Sequence, residues 1–300
     1  LGQNDLKTRG RLGPGSRTRR LLVVPAAHSD TLDKIRTLLS HEAVNANIVA
    51  SEANPVNGEK KQNIVAALLR NLGATFAAER LVVAGANMKY SPVPLAEKCT
   101  AYLTADRGWI KGVPDLSHLP VGEQKLGGVP YVIRDFKTSP LPACIMLAGP
   151  GVKGDLPQSV EGIPVGGKAD MLFFLHTFHR VKDWTPPRSK EKRPEPPAVF
   201  EYVVTYADGK TATVPVRYER GVGHWIASEP RGLPEASVAW AAAFPKDASR
   251  QAVVYQMTWV NPRPGAEIAS IAVRYDARSG NAYGVPVVLG ITAGTIAPDP

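Results

Sequence analysis

Proline sets the terms for most of this chain. From Tyr90 onward Pro92, Pro94, Pro114 and Pro120 recur, and no helical apolar period survives between them. Each proline removes a backbone donor and fixes φ, so the intervening pieces are confined to short extended segments and turns. The 300 residues include 27 Gly and 27 Pro, which implies many turns and few long helices. Between the breaks lie β-rich segments at residues 131–135, 143–148, 171–176, 199–206, 211–218, 252–259, 267–275 and 285–291. Asp208-Gly209 separates two of them and predicts a tight type I′ hairpin, whose central residues both take positive φ. Strands joined in this way predict an antiparallel β-sandwich or jelly roll over residues 93–300.

Residues 20–92 follow a different pattern. Leu21 to Val24 is a continuous apolar run ended by Pro25, as in a strand buried on both faces of a parallel sheet. Ser29 or Asp30 can cap a helix with Leu32, Ile35, Leu38 and Leu39 on one stripe, and Ile48 to Ala50 reads as the next strand. Asn57 can cap a second helix carrying Ile64, Val65, Leu68, Leu69 and Leu72, closed by Gly73, before a third strand at Leu81 to Ala84. Such β-α-β crossovers predict a small parallel Rossmann- or flavodoxin-like layer. The expected fold class is therefore α/β plus all-β: residues 1–19 as a basic arm, 20–92 as the α/β domain and 93–300 as the sandwich.

The net charge of +9 suggests nucleic acid until it is located. Residues 1–20 hold a surplus of five positive charges and residues 180–193 a surplus of four, so the rest of the chain is balanced. Both stretches are rich in Gly, Pro or Ser and read as an arm and a loop, not as a groove with stacking aromatics; no nucleic-acid partner is expected. No apolar run approaches the roughly 18 to 20 residues of a membrane span, so no span is expected. Cys99 and Cys144 are too few for a disulfide framework or a zinc set; they pair or remain as two buried thiols. The chain opens on Leu1 and reads as a processed or excised portion of a longer protein.

Several motifs offer chemistry. Gly149-Pro150-Gly151-Val152-Lys153-Gly154 has GxGxxG spacing, but Pro157, Gly162 and Pro164 follow where a phosphate-binding helix would have to begin, so it reads as a turn. His176 and His179 stand three apart at a strand end, where alternating faces keep them from converging on one metal; neither metal nor cofactor is expected. His176 reads as a core histidine bonded to backbone or as a ligand contact, and His224 beside Trp225 as a packed corner or a sugar platform. Trp240 and Trp259 lie within strand patterns and read as core. Trp184 and Trp225 lie in loops, where an aromatic face can stack on a pyranose. The insertion at residues 181–197 is too rich in proline and charge for strand or helix and reads as a mobile loop beside His176 and His179. No recognisable catalytic context surrounds any carboxylate.

Asp115-Leu116-Ser117-His118-Leu119-Pro120, Gly128-Val129-Pro130-Tyr131, Ile163-Pro164-Val165-Gly166, Leu172-Phe173-Phe174-Leu175-His176, Tyr206-Ala207-Asp208-Gly209, Asn261-Pro262-Arg263-Pro264 and Glu267-Ile268-Ala269-Ser270-Ile271 occur in this order. In this the chain resembles the galactose-binding-like β-sandwich accessory domains of bacterial glycoside hydrolases. Residues 20–90 resemble, more loosely, the flavodoxin-like domain that follows the barrel in β-galactosidase-type enzymes. Amidotransferase-like relatives of that layer carry a nucleophilic Cys after a strand, and neither Cys99 nor Cys144 falls within residues 20–90. The resemblance implies a non-catalytic carbohydrate-binding region, secreted or periplasmic, that belongs with an upstream catalytic domain and takes an oligosaccharide or polysaccharide. Its contacts would be Trp225, His224, Trp184, His176 and His179. The competing expectations are a glycoside hydrolase fragment with its own carboxylates and a structural or oligomerisation module.

Overall fold

The computed structural model describes residues 88–110, 113–152, 154–185, 195–245 and 247–296. Their strands are β1 (Met88–Pro92), β2 (Gly122–Leu126), β3 (Val129–Ile133), β4 (Ile145–Met146), β5 (Ser159–Lys168), β6 (Met171–Arg180) and β7 (Ala198–Tyr206). They continue with β8 (Thr211–Arg217), β9 (Ile226–Ala227), β10 (Ala236–Phe244), β11 (Asp247–Val260), β12 (Glu267–Tyr275) and β13 (Gly284–Ile296). The larger sheet runs β1-β13-β6-β11-β10, with β4 and β9 attached, and the smaller runs β5-β12-β7-β8. β10 with β11, β11 with β6, β6 with β13, β5 with β12, β12 with β7 and β7 with β8 all pair antiparallel.

The fold departs from the expected α/β plus all-β class. Among the described residues the fold is all-β, and its only helical turns are the short 3-10 pieces Ala96–Lys98 and Ala105–Arg107. The parallel α/β layer read over residues 20–92 lies outside the described residues as far as residue 87, as does the basic arm. Residues 88–92, placed with that layer from sequence, form the edge strand beside β13, where the Val93 amide donates to the Ile291 carbonyl at 2.8 Å. An edge is where a strand ending in Pro92 fits, because the missing donor has no ladder partner to lose.

The chain passes between the sheets repeatedly: β5 to β6, β6 to β7, β8 to β9, β11 to β12 and β12 to β13 all change sheet. The space between holds one apolar cluster, including Leu172, Phe174 and Phe178 of β6 and Phe200, Tyr202 and Val204 of β7. Each fully buried aliphatic or aromatic side chain of this kind contributes about 1.5–3 kcal/mol.

β6 is buried on its other face too. Alternation turns Phe173, Leu175, Thr177 and His179 away from the inter-sheet core, and all four are buried. The β2–β3 hairpin lies against this side of the larger sheet. Tyr131 of β3 donates its hydroxyl to Gln256 Oε1 at 2.9 Å, and Thr292, opposite Phe173 in β13, donates to the Pro130 carbonyl at 2.6 Å. Burial on both sides accounts for the unbroken apolar run from Met171 to Leu175.

The hairpin expected at Asp208-Gly209 joins β7 to β8, but the turn type is corrected. Gly209 alone has positive φ, +79°, and its amide donates to the Tyr206 carbonyl at 2.9 Å. A four-residue turn followed by a left-handed glycine therefore replaces the mirror-image turn. Arg263 lies over the Tyr206 ring and pairs with Asp208 through both guanidinium nitrogens, at 3.0 and 2.6 Å, holding the Asp208 carboxyl down at about 2.

Candidate functional site

β6 delivers its two histidines to opposite faces. His176 is 0% exposed, with Nδ1 2.8 Å from the Tyr202 hydroxyl and Nε2 2.9 Å from the Gly221 carbonyl. A carbonyl can only accept, so Nε2 carries the proton and Nδ1 accepts from Tyr202. The ring lies parallel to Tyr202 at 6.0 Å and edge-on to Phe200 at 5.5 Å. Burial pushes its pKa down to about 4, with the Gly221 carbonyl opposing. His176 is a satisfied core histidine, sealed from any ligand-accessible surface.

His179 sits on the outer face, 7% exposed, with Nδ1 buried and unpartnered; burial pushes its pKa down as well. Its ring lies 6.1 Å from that of His224. His224 follows the β8 strand in a segment that pairs with the end of β6 through a parallel bridge to Phe178. Its Nδ1 is 3.2 Å from the Arg180 amide and 3.1 Å from the Phe178 carbonyl. One nitrogen cannot donate and accept at once in a neutral ring. The Arg180 amide can only donate, so Nδ1 serves as its acceptor. Protonation would remove that acceptor. Burial first, and the Arg180 charge further, push the His224 pKa down to about 4 against the Phe178 carbonyl.

The tryptophans reverse the order expected from their sequence context. Trp225, assigned to a loop, is 0% exposed, edge-on to Trp109 at 5.1 Å and to Phe244 at 5.8 Å, so it presents no open face. Trp240 and Trp259, read as core, are half-buried. Trp184 is half-buried and packs against the margin of the inter-sheet core. A loop position in sequence does not reveal whether a ring folds back under a neighbouring layer.

Beside Trp184, the Arg180 guanidinium donates from Nη1 to Asp183 at 2.7 Å and to the Tyr218 hydroxyl at 3.2 Å. The Tyr218 bond, with Asp183 adding, holds the Arg180 pKa above its ordinary value. Burial raises the Tyr218 phenol, with Arg180 opposing. The rim at this end of β6 therefore has a half-buried indole and an ion pair within residues 180–184, with His224 bonded to the Arg180 amide. Residues 186–194 of the insertion that follows lie outside the described residues.

Arg180, Tyr218 and Thr177 were not singled out from sequence. A threonine between two histidines in an otherwise apolar strand was the available signal for Thr177; Tyr218 carried none. The Gly149–Gly154 motif leads into β5 and no helix follows it. Among the described residues, no group of three or more His, Cys, Asp or Glu side chains is placed to hold a metal, and no helix is long and apolar enough to cross a membrane. Cys99 and Cys144 are free thiols, each within hydrogen-bonding distance of a backbone carbonyl. Comparison of the chain with family models, with curated proteins and with solved structures gave no match in any of the three.

Proposed function

We propose that this chain is a non-catalytic carbohydrate-binding accessory region, of the galactose-binding-like kind, belonging to a larger secreted or periplasmic glycoside hydrolase-like protein. The observation that carries the reading is Trp184: an indole seated on the sandwich margin, partly open to solvent, with the Arg180–Asp183 pair beside it. A pyranose stacks on such a ring, while its hydroxyls, stripped of water, need the polar partners alongside.

Affinity electrophoresis of the full chain against plant and bacterial polysaccharides tests the proposal. A responsive polysaccharide should bind Trp184→Ala about tenfold more weakly, which corresponds to about 1.4 kcal/mol, the size expected of one stacking ring. Retardation that this substitution leaves unchanged refutes Trp184 as the contact. No retardation on any polysaccharide favours the structural or oligomerisation module instead.

A further inference from the structure

Four buried side-chain polar atoms among the described residues have no hydrogen-bond partner: Thr177 Oγ1, His179 Nδ1, Trp225 Nε1 and the Tyr275 hydroxyl. Scattered through the protein they would be four unrelated packing faults. They share one neighbourhood instead. Thr177 and His179 are alternate residues of β6 and project from its outer face. The bridge between Phe178 and His224 sets Trp225 abreast of His179. Val285, opposite His179 in β13, meets the turn at Gly149, where a Cβ would lie 2.6 Å from Val285 Cγ2 and 2.8 Å from the Tyr275 hydroxyl. Two residues on, a Cβ at Gly151 would lie 3.3 Å from His179 Nε2 and 4.0 Å from Ile110 Cγ2. The 149–151 turn thus lies against Tyr275 and His179, with Ile110 at its side, while Trp109 packs on Trp225.

We propose that this cluster is a closed polar subsite for an uncharged, hydroxyl-bearing group, the terminal ring of a glycan, reached by displacing the 149–151 turn. The inference rests on the glycan-binding reading and adds a second contact to the Trp184 rim. The chemistry of the lining selects the ligand class. Trp225 Nε1 only donates, the Thr177 and Tyr275 hydroxyls donate or accept, and the neutral His179 ring offers one of each. A vicinal diol, whose hydroxyls do both, satisfies such a set. An anion finds no formal positive charge among these four, and Arg180, the nearest cation along β6, is held by Asp183. The turn is thin: Pro150 and Gly151 are exposed, and a long 3.3 Å bond runs across it from the Val152 amide to the Gly149 carbonyl.

The test follows the indole N–H resonances of the full chain labelled with 15N-tryptophan during titration with D-galactose, D-glucose, D-mannose and N-acetyl-D-glucosamine. The Trp225 signal is assigned by Trp225→Phe. A sugar that binds should shift the Trp225 indole saturably. Thr177→Val, which removes a hydroxyl without a partner in the free protein, should keep or raise the melting temperature and weaken that titration about fivefold. A sugar that shifts the Trp184 indole alone overturns the subsite and leaves the glycan-binding reading standing. A Trp225 indole unmoved by all four sugars, exchanging magnetisation only with water, overturns it as well, as does an unaltered titration in Thr177→Val.

Discussion

The two faces of β6 treat the same residue type in opposite ways. On the inner face, His176 has a partner at each ring nitrogen and aromatic rings around it. On the outer face, three residues on, His179 is almost as deeply buried but leaves Nδ1 unpartnered, one of four such groups among the described residues. Burial alone therefore does not separate a structural histidine from an available one; completion of its hydrogen bonds does. The inner face is finished by the fold, and the outer face retains unused polar capacity at the end of the strand nearest the Arg180–Trp184 rim.

The comparison can be broken at several strengths. The largest effect is expected for Trp225→Ala, which empties a site packed by Trp109 and Phe244 and should cost about 3–5 kcal/mol in urea unfolding. Trp184→Ala should cost under about 1 kcal/mol, as half-exposed positions away from such features do. Equal losses in the two would contradict their unequal burial.

Next comes acidity. The His176 pKa is depressed in the folded protein to about 4 from an ordinary 6.5, so the unfolded chain binds the proton more readily. Its contribution is fully present above pH 6.5 and is lost as pH falls toward 4, by roughly 3 kcal/mol in all, with no further loss below. His224, also held at about 4, adds in the same window. Unfolding free energies measured from pH 7 to 4 should fall accordingly, and the fall should be shallower in His176→Leu. A flat profile would refute the burial assigned to these rings.

At constant neutral pH, His176→Leu leaves the Tyr202 hydroxyl and the Gly221 carbonyl without partners and should cost about 2 kcal/mol. His179→Leu removes a nitrogen that has none and should cost less than about 1 kcal/mol. The reverse order would exchange the roles given to the two faces. The smallest effect belongs to the hairpin: a Cβ at Gly209 meets open space, so Gly209→Val should cost about 1 kcal/mol from its left-handed φ alone. Unchanged thermal stability would count against that turn geometry.

The sequence legibility of these regions differs for physical reasons. Each β-rich segment read from residue 131 onward overlaps a strand, and Glu267–Tyr275 coincides with β12. β5 was missed because Pro164 and its glycines resemble a turn; they are tolerated on an edge strand whose register against β12 shifts twice. β10 was signalled only around Trp240, because its alanines carry no strand signal by themselves, and their pairing with β11 supplies it. Alternation correctly separated His176 from His179. What local pattern could not show was what packs on the outer face of β6. Trp225 looked like a loop contact because the residues that bury it, Trp109 and Phe244, are distant in the chain, and Thr177 becomes notable only when its missing partner is seen in three dimensions.

β6 also imposes a timetable. Its lateral neighbours in the larger sheet are β11, beginning at Asp247, and β13, beginning at Gly284. During synthesis the most apolar strand emerges well before either partner, with both edges bare and neither face yet fully covered. Pairings this distant along the chain slow folding, and an apolar strand with open edges is what chaperones bind and aggregates recruit. The strand that anchors the finished protein is thus its main hazard while the chain is still being made.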